Sequence, residues 1–200
     1  MPESAREFTV AITGASGSAC ARRLLAALAG HPDVVVINAV MSSAALMVAR
    51  EEFDAPGAGL SVIREMMAAG SDKIRWFEEH NVGASMASGS HIMDGTVVLP
   101  CSTGTLGAIA TGASRNLIHR AAEVAIKERR KLILGVRESP YSSIHLENML
   151  TVTRAGAIVL PITPAFYNHP RTIDELVEQY VGRVLDHLGL PHRLGKRWGA

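Results

Sequence analysis

The sequence predicts a doubly wound α/β fold, with about six mostly parallel strands and helices on both faces of the sheet. Three observations carry that expectation. Short apolar runs alternate with longer segments whose apolar residues recur near every 3.6 positions. The runs are hydrophobic at nearly every position, as strands covered on both faces must be. Small and hydroxylated residues cluster where a run ends and a helical segment begins.

In chain order, a strand over 8–13 leads through a small-residue loop to a helix over 18–29. A strand over 34–40 ends near Ser42 and feeds a helix over 43–52, and a further helix over 60–69 precedes a strand over 74–77. Residues 82–95, rich in Gly, Ala and Ser, are the least regular stretch. A strand over 96–99 is followed by helices over 105–110 and 117–130, a strand over 132–136 by a helix over 142–154, and a strand over 157–160 by a helix over 173–188. No repeat or linker interrupts the order, so residues 1–200 read as one domain, with an irregular N-terminus over 1–7 and a tail over 189–200.

The 200 residues, 48% hydrophobic, suffice for a substantial core. Twenty basic against 19 acidic side chains leave a formal charge of +1, which argues against nucleic acid or an anionic membrane as partner. Any functional cations should be few and converge on one small anion. Two cysteines, Cys20 and Cys101, are too few for a disulfide framework and fit a reducing cytoplasm. The polar start of the chain and the lack of an apolar run near the roughly 18 residues of a membrane span argue against secretion and insertion.

Open α/β sheets bind ligands beyond the carboxyl ends of their strands, where strand order reverses. After the first strand stands Thr13-Gly14-Ala15-Ser16-Gly17-Ser18, small enough for close backbone approach and followed by a helix whose first N–H groups suit a phosphate. This is not G-x-G-x-x-G, and no acidic residue closes the second strand, which argues against NAD. Alone, the loop fits a tight strand-to-helix turn as well. A second loop, Pro100-Cys101-Ser102-Thr103-Gly104-Thr105-Leu106, follows the fourth strand, and its placement makes Cys101 a candidate site lining. Ser102 or Thr103 also fits a simple N-cap, but with Ser42 the two loops suggest one phosphate and one flat ring.

Arg120 and Lys127 lie seven positions apart on one helix face, able to reach one anion or to form a solvated face with Glu123. Arg137-Glu138 follows the fifth strand and Tyr167 the sixth; each is placed either for a phosphate or for an ordinary surface or half-buried role. Glu52 is a proton donor if burial raises its pKa, and otherwise an exposed helix end. The eight histidines, His119 and His145 among them, show no ligand spacing, so no metal site is inferred.

Together Gly14-Ala15-Ser16-Gly17, Pro100-Cys101-Ser102-Thr103-Gly104-Thr105-Leu106, Arg120-Ala121-Ala122-Glu123-Val124, Lys127-Glu128-Arg129-Arg130, Arg137-Glu138, the run Ile144 to Leu150 and Pro164-Ala165-Phe166-Tyr167 occur in an order that resembles the flavin prenyltransferases, from about Phe8 onward. The resemblance implies a Rossmann-like flavoprotein fold. It also implies prenylation of reduced FMN at N5 and C6 by dimethylallyl monophosphate, without a metal, to make prenyl-FMN for a separate decarboxylase. By that resemblance Gly14, Ala15, Ser16, Ser42, Ser102, Thr103, Gly104, Thr105 and Arg137 contact FMN. Arg120, Lys127, Glu138, Tyr167 and Arg183 surround the prenyl phosphate, Trp198 belongs to a tail that closes over the site, and Ser16, Glu52, Lys127 and Glu138 form the catalytic set. The family likeness further implies a large homo-oligomer, a dodecamer, with sites at subunit contacts. Two positions depart from the family pattern: Ser43 where Lys is common, and Ile162 where a second Pro is common. The rival readings are an FMN-dependent cysteine decarboxylase of the same fold and a non-catalytic flavin carrier.

Overall fold

The structure, a computed structural model, describes residues 5–68 and 70–197. Six parallel strands lie in the order β3-β2-β1-β4-β5-β6, namely β1 (Arg6–Ile12), β2 (Val34–Met41), β3 (Ile74–Phe77), β4 (Gly95–Cys101), β5 (Leu132–Val136) and β6 (Ile158–Val159). Strand order reverses between β1 and β4, which pair directly, Val10 opposite Val97. The doubly wound expectation is met.

Alternate residues of the central strands feed two cores. Phe8, Val10 and Ile12 face α1 (Ser18–Ala29), α2 (Ser43–Glu52), α3 (Leu60–Ala68) and α7 (Ile173–Leu188). Ala11, Val40 and Val98 face α4 (Thr103–Ala110), α5 (Leu117–Lys127) and α6 (Ser143–Arg154). The side chains of Leu24, Leu25 and Leu28 from α1 are wholly buried in the first core, Leu106 and Leu117 in the second. Each such side chain contributes about 1.5–3 kcal/mol by leaving water.

Helix starts follow local chemistry. Ser42, Ser102, Asn116, Ser142 and Thr172 each accept a hydrogen bond from the N–H three residues on, and so cap α2, α4, α5, α6 and α7. His145 completes a capping box with Ser142. Helix α1 starts at Gly17 without a cap of its own.

Several boundaries differ from expectation, each for a physical reason. Strand β1 begins inside the stretch 1–7 because Arg6 N–H donates to Asp33 O (2.8 Å) and Glu7 N–H to Asp94 Oδ2 (2.8 Å). Strand β4 runs past Pro100, which lacks an N–H, because the register shifts between Val98 and Cys101. Helix α5 stops at Lys127, since Arg129 turns left-handed (φ 54°) and the Arg130 guanidinium donates to the carbonyls of His91 and Gly89 (2.6 Å each). The edge strand β6 keeps only two residues, both half-buried rather than covered on two faces. Within 82–95 a single 3-10 turn, Ser85–Ala87, buries Met86 in the second core.

Candidate functional site

The loops after β1 and β4 meet at the reversal of strand order, and one threonine joins them. Thr13, almost fully buried, donates from Oγ1 to Pro100 O (2.9 Å) and accepts from Ser102 N–H (2.8 Å). Its own N–H also reaches Pro100 O (3.1 Å). A buried, doubly used hydroxyl of this kind fixes the separation of the two loops. On the α4 side the Ser102 hydroxyl is spent on Thr105, accepting from its N–H and donating to its Oγ1 (3.1 Å). Thr105 is buried and acts as part of that cap, while Thr103 is half-buried and Gly104 exposed. A side chain added at Gly104 would meet nothing within 4 Å, so the first turn of α4 faces open space. Arg137 is exposed at the end of β5, its N–H bonded to Cys101 O (3.2 Å). Cys101 is fully buried in the second core, so it does not line the crevice, and burial pushes its thiol up to about 12.

Gly14 and Ala15 lie where β2 and α2 crowd the loop. A Cβ on Gly14 would stand 2.6 Å from the Ala44 Cβ, a separation no packing tolerates. Gly17 has φ of 127°, a backbone that side chains with a Cβ adopt only under strain. Ile162 packs over this turn, and its N–H extends the ladder by bonding Val136 O (3.0 Å), a bond a proline there would forfeit. Ser43, the other departure, stands exposed at the start of α2 with its N–H on Glu79 Oε1 (3.2 Å).

The α1 terminus corrects one expectation. Its N–H groups are not open to a phosphate: Glu52 accepts from Gly17 N–H (2.9 Å) and Ser18 N–H (2.6 Å). The carboxylate therefore caps α1 from α2. Glu52 does not meet the condition that would make it a proton donor, a pKa raised by burial. Burial pushes it up, but hydrogen bonds from the Ser16 and Ser18 hydroxyls and from Gly17 and Ser18 N–H outweigh burial and hold it below the ordinary 4.5. Glu52 is thus ionised at neutral pH, a proton acceptor rather than a donor. A depressed carboxylate stabilises the fold above its unfolded pKa, and that contribution is lost as pH falls through the lower folded value. Glu52→Ala is expected to cost about 1 kcal/mol in urea denaturation at pH 7, modest because the residue is exposed, and the gap from wild type should narrow below pH 4.5.

The cations fall into two groups. Arg120 and Lys127 stand on α5, against the second core. Arg120 donates to Ala87 O (3.1 Å) and pairs with Glu123 (3.0 Å), and Lys127 pairs with Glu128. Arg183 stands on α7, against the first core, and shares a cavity with Tyr167. The sheet separates the two helices, so Arg120 and Lys127 stand on one of its faces and Arg183 on the other. Glu138, half-buried at the end of β5, accepts from Ser139 N–H (3.0 Å). Trp198 lies outside the described residues.

Asp186 also belongs to the Tyr167–Arg183 cavity and was not foreseen, while His192 and Arg197 enter the same cavity from the expected tail. The Arg183/Asp186 spacing of three on a helix was the readable sign. Among the described residues no helix is long and apolar enough to cross a membrane, and no cluster of His, Cys, Asp or Glu is placed to hold a metal ion.

Comparison with known proteins places this geometry. The family model Flavoprotein matches residues 2–185. The flavin prenyltransferase UbiX of Pseudomonas aeruginosa is 45% identical, over 96% of this chain and 93% of that protein. The crystal structure of AnUbiX (PadA1) in complex with FMN and dimethylallyl pyrophosphate superposes with a TM-score of 0.86 at 39% identity, covering 98% of each chain. A dodecameric FMN-dependent UbiX-like decarboxylase from Escherichia coli O157:H7 gives 0.85 at 41%, covering 97% of this chain and 100% of that one.

Proposed function

This chain belongs to the Flavoprotein family, among its flavin prenyltransferases, and from that premise we propose how its residues carry the reaction. It is a flavin prenyltransferase that moves a dimethylallyl group from dimethylallyl monophosphate to reduced FMN. One observation carries the assignment of parts. Ile162, from the loop after β6, packs onto Gly17, from the loop after β1. The loop that carries Tyr167 therefore closes one side of the turn that follows β1.

The crevice fits FMN on its own chemistry. Gly14, Ala15 and Ser16 give a flat, small-residue floor; Ser42, Thr103 and Gly104 offer hydroxyl and N–H groups around the open first turn of α4; Arg137 supplies one guanidinium for a phosphate monoester. When bound in reduced form, the flavin supplies the nucleophilic N5 and C6. Arg183 and Tyr167 hold the departing phosphate, which leaves with the electron pair of the broken C–O bond, and their fixed charge and hydroxyl supply the stabilisation. Glu52, ionised beside Ser16, takes up through that hydroxyl the proton released as the N5–carbon bond forms. Glu138 borders the same end of the sheet. Arg120 and Lys127 reach the phosphate from a neighbouring copy. Exposed apolar side chains on α6 (Ile144, Leu146, Leu150) and beyond β6 (Phe166) support such contacts, and a dodecameric relative supports a large assembly.

The product serves a separate decarboxylase, the tail over 189–197 closes over the donor, and two buried unpaired cysteines fit a reducing cytoplasm. Anaerobic incubation with reduced FMN and dimethylallyl monophosphate should yield a flavin heavier by one C5 unit in mass spectrometry. An unchanged flavin mass would refute the assignment, and a parallel incubation with the diphosphate ranks the two donors.

A further inference from the structure

On α7, Gln179, Gly182, Arg183 and Asp186 form one stripe, and the chain beyond the helix doubles back along it. Gly182 makes the room: a Cβ there would stand 2.9 Å from both the His192 ring and Leu194 O. Asp186 ties the two passes of chain together. Its Oδ2 accepts from Arg183 (3.0 Å), and its Oδ1 accepts from Arg197 (2.8 Å) and His192 Nε2 (3.0 Å). Leu194 N–H donates to His192 Nδ1 (3.1 Å), which leaves Nε2 as the donor, and the ring is only 7% exposed. Burial acts to raise the Asp186 pKa, but the bonds from Arg197 and His192 prevail and hold it low, so the carboxylate is charged.

These groups surround a cavity of about 450 Å³ that Tyr167 and Lys196 also line. Arg183, Lys196 and Arg197 against Asp186 leave the cavity positive. Each guanidinium commits a single nitrogen to Asp186, and among the described residues its other nitrogens carry no hydrogen bond.

We propose that Asp186 is a positioning residue for the donor end of the site, holding Arg183 and Arg197 side by side over the cavity that Tyr167 faces, so that a phosphate monoester meets two prearranged guanidiniums. The proposal rests on this cavity being the prenyl-phosphate site. Prearrangement outweighs the repulsion between Asp186 and the ester, because without the carboxylate two long side chains must be ordered anew at each binding event.

Calorimetric titration of the FMN-loaded protein with dimethylallyl monophosphate tests it without turnover. Asp186→Asn keeps the shape and removes the charge; its Kd for the ester should rise about tenfold, with FMN affinity unchanged within about twofold. In an Arg183→Ala background the same substitution should raise Kd less, because one of the two guanidiniums that Asp186 holds is already gone. Full additivity would overturn the proposal, since a residue that merely supports the fold, or a simple change of charge, adds independently. An unchanged or lower Kd in Asp186→Asn would also overturn it and mark the carboxylate as a competitor of the ester. If Arg183→Ala itself leaves Kd unchanged, the cavity is not the donor site, and that result is distinguishable from failure of Asp186 alone.

Discussion

Gly14→Ala is expected to weaken FMN binding by roughly tenfold to a hundredfold, and Ala44→Gly in the same chain is expected to restore most of it. The added methyl would stand 2.6 Å from the Ala44 Cβ, which is fixed to the first turn of α2 and has no rotamer to yield with. Overpacking of this kind costs roughly 1–3 kcal/mol, and here the strain displaces the loop that floors the crevice. Removing the opposing methyl relieves it. Gly17→Ala behaves differently: the atom in the way is the far end of Ile162, which can move, but φ of 127° cannot be relieved by any neighbour. Ile162→Ala should therefore fail to rescue Gly17→Ala. FMN titrations of the two double variants separate a clash from a backbone requirement.

Arg120→Ala and Arg183→Ala are each expected to lower kcat/KM by about 10²- to 10³-fold, the usual loss when a donor to developing charge is removed. The two inactive proteins, mixed under conditions that exchange subunits, should regain activity. Arg120 and Arg183 lie on helices that cover opposite faces of the sheet, and in the proposed arrangement a complete site draws one from each of two chains. A mixed assembly holds some sites with both arginines intact. Mixtures that stay inactive after confirmed exchange would place both cations in one chain's own site and overturn the shared arrangement.

The fold was legible because most strand positions are apolar and several crossover helices begin at a hydroxyl or amide side chain, as at Ser42, Ser102 and Asn116. What escaped depends on tertiary partners. Pro100 read as a strand end, since only the register shift against β5 shows how a residue without an N–H is carried through. Arg130 read as helical, since its left-handed predecessor is stabilised by carbonyls about 40 residues away in sequence. At the site, the residue types were visible but not their directions. Glu52 has no sequence neighbour that announces a role as cap for α1, and without that contact its pKa could not be signed. The Arg120–Lys127 spacing showed a shared helix face correctly and said nothing about which side of the sheet that face would occupy.

The placement of α5 and α7 on opposite faces has a consequence for stoichiometry. In the proposed arrangement a surface that lends cations and a surface that borrows them point in different directions, which favours head-to-tail contacts that close into a ring over a pair meeting face to face. On that proposal a lone copy carries a half-furnished site. Specific activity should then fall on dilution as rings open, at protein concentrations where every chain is still folded and loaded with flavin.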